Sequence, residues 1–255
     1  MDQRLGFFEY LFTYVMPILV GGIPMTLAVT GIAFICGNLL ALPIAVARVS
    51  PNLLLRGPAY GYILFMRGTP LLVQLYLIYY GFKSELPIEW VRDSWAKPIL
   101  RNAYWYAALA FSLNTAGYTA EILRGAIQAV PHGEIEAGKA FGMSPRQIFW
   151  RITLPRAIRI CLPTMTGETI LLLKATSLCA FIAVSDVMQK ANYIRAQELR
   201  VYEPLLGAAI IYVCLVFVLT RILNFVERHL NKDRLQPPSS SGKPDAVMVR
   251  AGGPA

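Results

Sequence analysis

Residues 10–47 read YLFTYVMPILVGGIPMTLAVTGIAFICGNLLALPIAVA and contain no charged side chain. As one helix, this run would extend for about 57 Å, whereas the hydrocarbon core of a membrane is about 30 Å thick. Four residues that interrupt helices lie in its first half: Pro17, Gly21, Gly22 and Pro24. The run therefore has to divide. We expect an N-terminal segment over 1–20, with an interfacial helix from residue 6, and a first membrane span over 23–47.

The overall composition also indicates a membrane protein. Only 15% of the 255 residues are charged and 56% are hydrophobic, whereas a soluble globular protein carries about 25% charged residues. This deficit, together with long uncharged runs, predicts an all-α integral membrane protein in a lipid bilayer. The net charge of +9 does not indicate a nucleic-acid partner, because the basic residues are scattered between apolar segments and form no patch with interleaved aromatic residues.

Four further apolar segments follow the first span, so we expect about five transmembrane helices. The remaining spans are predicted over 57–82, 104–124, 157–184 and 205–226. They form one membrane domain over 21–230, which contains a polar loop over 131–155. The tail over 231–255 is rich in Pro, Ser and Gly from Gln236 onward, and this composition predicts a disordered segment.

The orientation follows from the distribution of Lys and Arg. Fifteen of these residues lie in the regions 48–67, 121–160 and 221–255, against eight in 1–20, 83–102 and 185–204. Because basic residues concentrate on the cytoplasmic side, we expect a periplasmic N-terminus, a cytoplasmic loop 131–155 and a cytoplasmic tail. Five spans are too few to enclose a wide polar path, so we expect a second subunit to complete it.

Two other classes of membrane protein fit these spans less well. A self-sufficient secondary transporter usually has internal repeats in ten or more spans, and these five spans show no repeat. A membrane enzyme would need a set of catalytic or metal-ligating side chains, but the four cysteines and two histidines lack metal-ligand spacing. We expect neither catalysis nor a metal in this chain.

The polar loop reads PHGEIEAGKAFGMSPRQIFWRITLP over residues 131–155. Gly142 stands where a helix that begins near Gly133 would end, which is typical of a glycine stop. Ser144, Pro145 and Gln147 occupy the N-cap, first and third positions of a second helix, which is the pattern of a capping box. Two short helices joined by a tight turn predict a docking surface for a protein partner. An ordinary amphipathic loop is the alternative.

One segment of this loop partly matches a nucleotide-binding motif. The segment 133–140 matches a phosphate-binding P-loop except at its last position, where Ala140 replaces the Ser or Thr that binds magnesium. The segment follows a membrane span instead of a strand, and Glu134 and Glu136 would repel a phosphate. We therefore expect no nucleotide on this chain.

Three motifs resemble the permease subunits of bacterial ABC importers. The loop matches the EAA pattern of these permeases, which reads Glu-Ala-Ala, three residues, Gly, nine residues, Ile-x-Leu-Pro; only Gly138 departs, standing where Ala is usual. The segments RGTPLLVQ (67–74) and NTAGYTAE (114–121) resemble the branch for polar amino acids, as does PHG before the loop. The resemblance covers about residues 20–230. Within that branch the chain is most similar to permeases for histidine, other basic amino acids and opines.

The resemblance implies a type I importer fold in the bacterial inner membrane. Two permease chains form the path, two ATPase subunits hold ATP and Mg²⁺, and a periplasmic binding protein delivers the substrate. No cofactor is therefore expected in this chain. The first loop helix would couple to the ATPase, and the expected coupling residues are Glu134, Glu136, Ala137, Gly138, Gly142, Ile152, Leu154 and Pro155. The expected cargo is a basic amino acid or an opine, and glutamine or glutamate is the alternative.

Polar side chains inside the spans are candidates for the substrate path, because a charge at mid-bilayer costs at least about 2.5–3.5 kcal/mol. The predicted path residues are Asn114, Thr115, Tyr118, Glu121 and Glu168. A zwitterionic amino acid needs an acceptor for its ammonium group; Glu121 or Glu168 would supply it, and the other three would orient the ligand. In the alternative, Glu121 pairs with Arg124 or Arg67, and Glu168 pairs with a neighbouring span.

Overall fold

The structure is a computed structural model, and it describes residues 6–82 and 97–230. These residues form helices and turns, with no strand among them. The helical elements are α1 (residues 7–20), α2 (Ile23–Val49), α3 (Leu53–Gly68), α4 (Leu71–Gly81), α5 (Lys97–Arg101), α6 (Ala103–Gln128), α7 (His132–Ala140), α8 (Pro145–Ile182), α9 (Val187–Glu198) and α10 (Tyr202–Leu230). The tail predicted over 231–255 lies outside the described residues.

The division expected near the N-terminus falls at Gly21 and Gly22, which form the turn between α1 and α2. One side of α1 is buried against α9 and α10, and its buried residues are Tyr10, Leu11, Val15 and Leu19. Gly22 permits the close approach of α9, because a Cβ at this position would lie 2.6 Å from the backbone nitrogen of Val187. The α1 helix therefore packs into the helical body, and its position at the membrane interface stays a prediction.

The span predicted over 57–82 is not one continuous helix. The helices α3 and α4 meet at an angle of 105° across a short break. Thr69 has an extended backbone, with φ −111° and ψ 145°, because the residue before a proline is disfavoured in the helical region. Pro70 then stands at the N-cap of α4. The prediction of one continuous span was wrong here, because Pro70 in the motif 67–74 interrupts the helix.

The α6 helix lies in the interior and packs closely along α2. A Cβ on Gly37 of α2 would lie 2.7 Å from Thr115 of α6, and a Cβ on Gly117 would lie 2.6 Å from Met66 of α3. Small residues at such crossings let membrane helices approach closely. The α6 helix, which carries four of the five predicted path residues, is therefore held in direct contact with α2 and α3.

The second loop helix and the fourth span, predicted as separate elements, form one helix, α8. A π-helical turn over Phe149–Thr153 joins the two parts without a break. The final Thr176–Ile182 segment is 3₁₀-helical, and Ala183 ends the helix in the left-handed region with φ 58°. Any displacement of the loop can thus be transmitted directly into the membrane-spanning part of α8.

In the part of the chain that the structure describes, three helices could cross a membrane, or four with one bent pair, against the five that were expected. Within the described residues, Phe7–Val49, Pro145–Ile182 and Tyr202–Leu230 are long and apolar enough to cross a membrane, and the bent pair α3–α4 forms a fourth candidate. The fifth predicted span is α6, which has 26 residues and would extend for about 39 Å. Its polar residues keep it outside the candidates that hydropathy identifies, so its crossing of the membrane stays a prediction.

Candidate functional site

A cavity of about 430 Å³ lies between the α3–α4 break, α6 and α8, and we call it the central cavity. Four of the five predicted path residues line it: Asn114, Thr115, Tyr118 and Glu168. The break contributes residues 67–71. Asn114 lies near the middle of α6, so the cavity is about halfway along the helices. The structure thus assembles these side chains from segments that are far apart in the chain.

The wall of the central cavity at the break is stabilised by Gln74, which is only 3% exposed. Its amide nitrogen donates to the Met66 carbonyl at 3.0 Å and to the Thr69 hydroxyl at 2.7 Å. Its amide oxygen accepts a hydrogen bond from Asn114 at 3.0 Å. Gln74 therefore supplies partners for backbone groups that the interrupted helix leaves unpaired, and it connects the break to α6.

Gln74 was absent from the predicted site. A buried amide within the otherwise apolar helical segment Leu71–Tyr76 was the signal that could have identified it, since a buried polar side chain needs partners.

The central cavity carries one side chain of each charge. Arg67 lines it from the break and Glu168 from α8, and Glu168 feels the positive charge of Arg67. The guanidinium carbon of Arg67 lies 5.6 Å from the centre of the Tyr118 ring, within cation–π range. No ion pair involves Arg67 or Glu168 among the described residues. From the sequence, Arg67 was expected only as part of a motif and as an alternative partner of Glu121, and the structure adds it to the lining of the cavity.

Glu121 lies outside the wall of the central cavity. Both of its carboxylate oxygens accept hydrogen bonds from Arg124, at 2.7 and 2.9 Å. Arg124 also donates to Gln128 at 2.6 Å. The alternative left open by the sequence, an ion pair within α6, is the arrangement that the structure has. Sharing a helix face with Asn114 and Tyr118 was not sufficient to bring Glu121 into the cavity.

The turn predicted in the loop 131–155 is confirmed. Gly142 has a φ of +74°, and the amides of Gly142 and Met143 donate to the carbonyls of Lys139 (2.9 Å) and Gly138 (3.1 Å). This pair of bonds is a Schellman motif, which ends a helix at a left-handed glycine. Ser144 then forms the predicted capping box with Gln147.

The eight predicted coupling residues differ in exposure. Those at the surface are Glu136, Ala137, Gly142 and Pro155; Ile152 and Glu134 are half-buried, and Gly138 and Leu154 are buried. A Cβ on Gly138 would lie 2.8 Å from the Ile152 side chain, so this glycine packs α7 onto α8. Glu134 forms an ion pair with Arg156 at 3.1 Å.

The surface of the loop also includes a residue that the sequence analysis missed. Phe141 is 88% exposed, beside the glycine turn. A large apolar side chain within a polar run was the available signal, because exposed aromatic residues are enriched at protein interfaces.

Residues 35–232 match the family described as binding-protein-dependent transport system inner membrane component. The chain belongs to this family. The prediction of an ABC importer permease with an all-helical fold is thereby confirmed, and a multi-pass position in the membrane follows from the family and the apolar helices.

This inner membrane component has related proteins of similar length. Its sequence is 43% identical over 216 residues to the octopine transport system permease protein OccM of Rhizobium radiobacter, with 85% of this chain and 87% of that protein covered. It is 36% identical over 208 residues to the histidine/lysine/arginine/ornithine transport system permease protein HisM of Salmonella typhimurium, with 81% and 87% covered. A crystal structure of an amino acid ABC transporter with histidines has a TM-score of 0.76 and 31% identity, and the match covers 89% of this chain and 100% of that chain.

Proposed function

We propose that this permease carries a basic amino acid or an opine, and that the substrate passes through the central cavity. The observation that supports this proposal is that Arg67 and Glu168 line the same cavity without a salt bridge between them. A free amino acid carries a carboxylate and an ammonium group, so it complements a site with one charge of each sign. The volume of the central cavity, about 430 Å³, falls within the range of about 300–1,000 Å³ that is usual for small-molecule sites.

The roles of the individual side chains follow from their chemistry. Arg67 would bind the substrate carboxylate through its planar fork of N–H donors, and Glu168 would accept hydrogen bonds from the ammonium group. Asn114 and Thr115 supply an amide and a hydroxyl that orient the ligand. The Tyr118 ring fixes the position of the Arg67 guanidinium. The two relatives support the substrate class, since one is a transport protein for octopine and the other for histidine, lysine, arginine and ornithine.

The proposed partners correspond to the two sides of the molecule. We expect the loop 131–155 to face the cytoplasm and bind an ATPase that holds ATP and Mg²⁺, with Glu136, Ala137 and Phe141 on the docking surface. Because α8 is continuous with the loop, movement of the ATPase would tilt α8 as a rigid body and open or close the central cavity. A second permease would complete the path, and a periplasmic binding protein would deliver the substrate on the opposite side. The N-terminus would then be periplasmic and the C-terminus cytoplasmic.

The test is ATP-driven uptake by the assembled importer in proteoliposomes, with labelled arginine, histidine, octopine and glutamine. We expect uptake of at least one of the first three, and a loss of at least tenfold in Glu168→Gln, because a hydrogen bond to a charged group contributes about 1.5–3 kcal/mol and about 1.4 kcal/mol corresponds to tenfold. Glu227→Gln, outside the cavity on α10, is the matched control and should transport normally. Uptake of glutamine alone would overturn the substrate class, and normal uptake by Glu168→Gln would overturn the role of the cavity.

A further inference from the structure

A second cavity lies on the side of the molecule that carries the loop 131–155, and we call it the basic pocket. It has a volume of about 490 Å³ and lies where the ends of α2 and α6 meet the first turns of α3 and α7. Its polar side chains are Arg48, Arg56, Gln128 and His132; the rest of its lining is aliphatic and includes no acidic residue. None of these residues lines the central cavity, so the substrate path does not account for the pocket.

The positive charge of the basic pocket is not neutralised by a partner in the described residues. No ion pair there involves Arg48 or Arg56. Glu121 is near enough to feel the charge of Arg48, but both of its oxygens are bound by Arg124. Two arginines that line one cavity without a counter-ion repel each other, so an anion between them would be stabilised.

Arg48 has a hydrogen-bond donor that lacks an acceptor. Its Nε atom is buried and has no hydrogen-bond partner among the described residues. The guanidinium carbon lies 4.6 Å from the centre of the Tyr60 ring, which holds the group in place on one side. Buried donors are nearly always paired in folded proteins, and an unpaired one is costly. An acceptor oxygen bound in the pocket would remove this cost.

The pocket opens beside an apolar surface. Leu53, Leu54 and Leu55, in the first turn of α3, have exposed fractions of 68%, 82% and 53%, and Arg56 follows them directly. Exposed leucines next to arginines suit the boundary between acyl chains and headgroups, where apolar side chains enter the bilayer and basic ones remain at its surface. The basic pocket is then at the level of lipid phosphates.

We propose that the basic pocket binds a phosphate-bearing anion, with the guanidinium groups of Arg48 and Arg56 as its donors. Arginine suits this ligand because its N–H groups match two phosphate oxygens at once, and basic pockets between membrane helices bind anionic headgroups on the cytoplasmic side. The phosphate comes from an anionic phospholipid headgroup or from a free cytosolic phosphate. Assigning it to the cytoplasmic side rests on the orientation given under the proposed function.

A bound phosphate would lie between the end of α2, the first turn of α3 and His132 in the first turn of α7. The loop helix that is proposed to receive the movement of the ATPase would then be held against the membrane domain through the anion. Occupancy of the pocket would therefore influence the position of the loop, and with it the coupling of ATP hydrolysis to uptake.

The test is lipid binding by the purified full-length chain in detergent, measured by native mass spectrometry. Dioctanoyl-phosphatidylglycerol is the probe, and dioctanoyl-phosphatidylcholine is the zwitterionic comparison. We expect Arg56→Gln to weaken phosphatidylglycerol binding about fivefold and the double variant Arg48→Gln/Arg56→Gln about thirtyfold, because each basic side chain near a headgroup contributes about a factor of five. Arg228→Gln, exposed on α10 and outside the pocket, is the matched control and should bind as the wild type does.

Competition with sodium phosphate distinguishes the two sources. If a large excess of inorganic phosphate leaves phosphatidylglycerol bound, the ligand is the lipid headgroup; if inorganic phosphate displaces it at comparable concentration, the ligand is a free phosphate. Equal binding of phosphatidylglycerol by the wild type, Arg56→Gln and the double variant would overturn the proposal. The proposal would also be overturned if phosphatidylglycerol and phosphatidylcholine bound with equal affinity in both the wild type and the double variant. Arg56 is exposed, so its variant keeps the test valid if the double variant does not fold. The assay involves no transport, so its result is independent of the substrate assigned to the central cavity.

Discussion

Replacing Gln74 by Leu would test whether the break between α3 and α4 is held by this one side chain. Gln74 makes four hydrogen bonds, with the Met66 carbonyl, the Thr69 carbonyl, the Thr69 hydroxyl and the Asn114 amide. Leu has a similar volume and keeps the apolar contacts of the site, so the substitution removes the polar connections and leaves the packing.

The expected loss of stability depends on which hydrogen bonds the former partners of Gln74 retain. Asn114 still donates to the Met66 carbonyl at 3.3 Å, and the Thr69 hydroxyl still donates to the Phe65 carbonyl at 2.7 Å. These groups are not fully orphaned, so each lost bond costs about 1 kcal/mol instead of the full desolvation penalty. The buried Leu offsets about 1–2 kcal/mol. We expect a net destabilisation of about 2 kcal/mol.

Thermal unfolding of the purified chain in detergent, followed by tryptophan fluorescence, would measure this loss. For a chain of this size, about 2 kcal/mol corresponds to a decrease in Tm of about 4–8 °C. Substrate uptake by the assembled importer should fall by more than the loss of folded protein explains, because Asn114 and the break both line the central cavity. Gln197→Leu, exposed on α9, is the control. If Gln74→Leu and Gln197→Leu have the same Tm, the hydrogen bonds of Gln74 do not hold the break.

Three further predictions concern the loop, the α1–α2 turn and a buried acid. Gly142→Ala should weaken pull-down of the ATPase several-fold, because a φ of +74° costs a non-glycine residue about 1–2 kcal/mol; Gly133→Ala, which has open space around it and an ordinary φ, should bind normally, and equal binding by both would argue against the turn. Gly22→Ala should lower the Tm because its Cβ would meet the Val187 backbone at 2.6 Å, whereas Gly31→Ala, with no atom within 4 Å, should not; the same Tm for both would contradict this packing. Burial raises the pKa of Asp186, in the connection between α8 and α9, to about 6 from its ordinary 3.8. The folded state therefore binds a proton on Asp186 more tightly than the unfolded chain does. The stability that this proton contributes is complete below about pH 4 and is lost as the pH rises through 6. The Tm should fall between pH 5 and pH 7.5 in the wild type and much less in Asp186→Asn, and an equal fall in both would assign the dependence to another group.

Much of the architecture depends on short-range patterns. The uncharged run over 10–47 requires membrane helices, and Gly21 and Gly22 divide it where the structure does. The Gly142 stop and the Ser144–Gln147 capping box were predictable because each involves residues within a few positions of one another. Asn114, Thr115, Tyr118 and Glu168 were identifiable because a polar side chain within an apolar helix is costly unless it has a partner or a function.

The sequence alone left open which polar side chains meet, since this depends on segments far apart in the chain. Gln74 and Asn114 are separated by 40 positions, and neither local pattern predicts their hydrogen bond. Glu121 had the same helical spacing as the cavity residues, and only the folded arrangement shows that Arg124 binds it. The central cavity exists because Pro70 interrupts a helix and because glycines let α2, α3 and α6 approach closely. A periodic pattern reports which face of a helix is polar, but the neighbours of that face are set by three-dimensional packing.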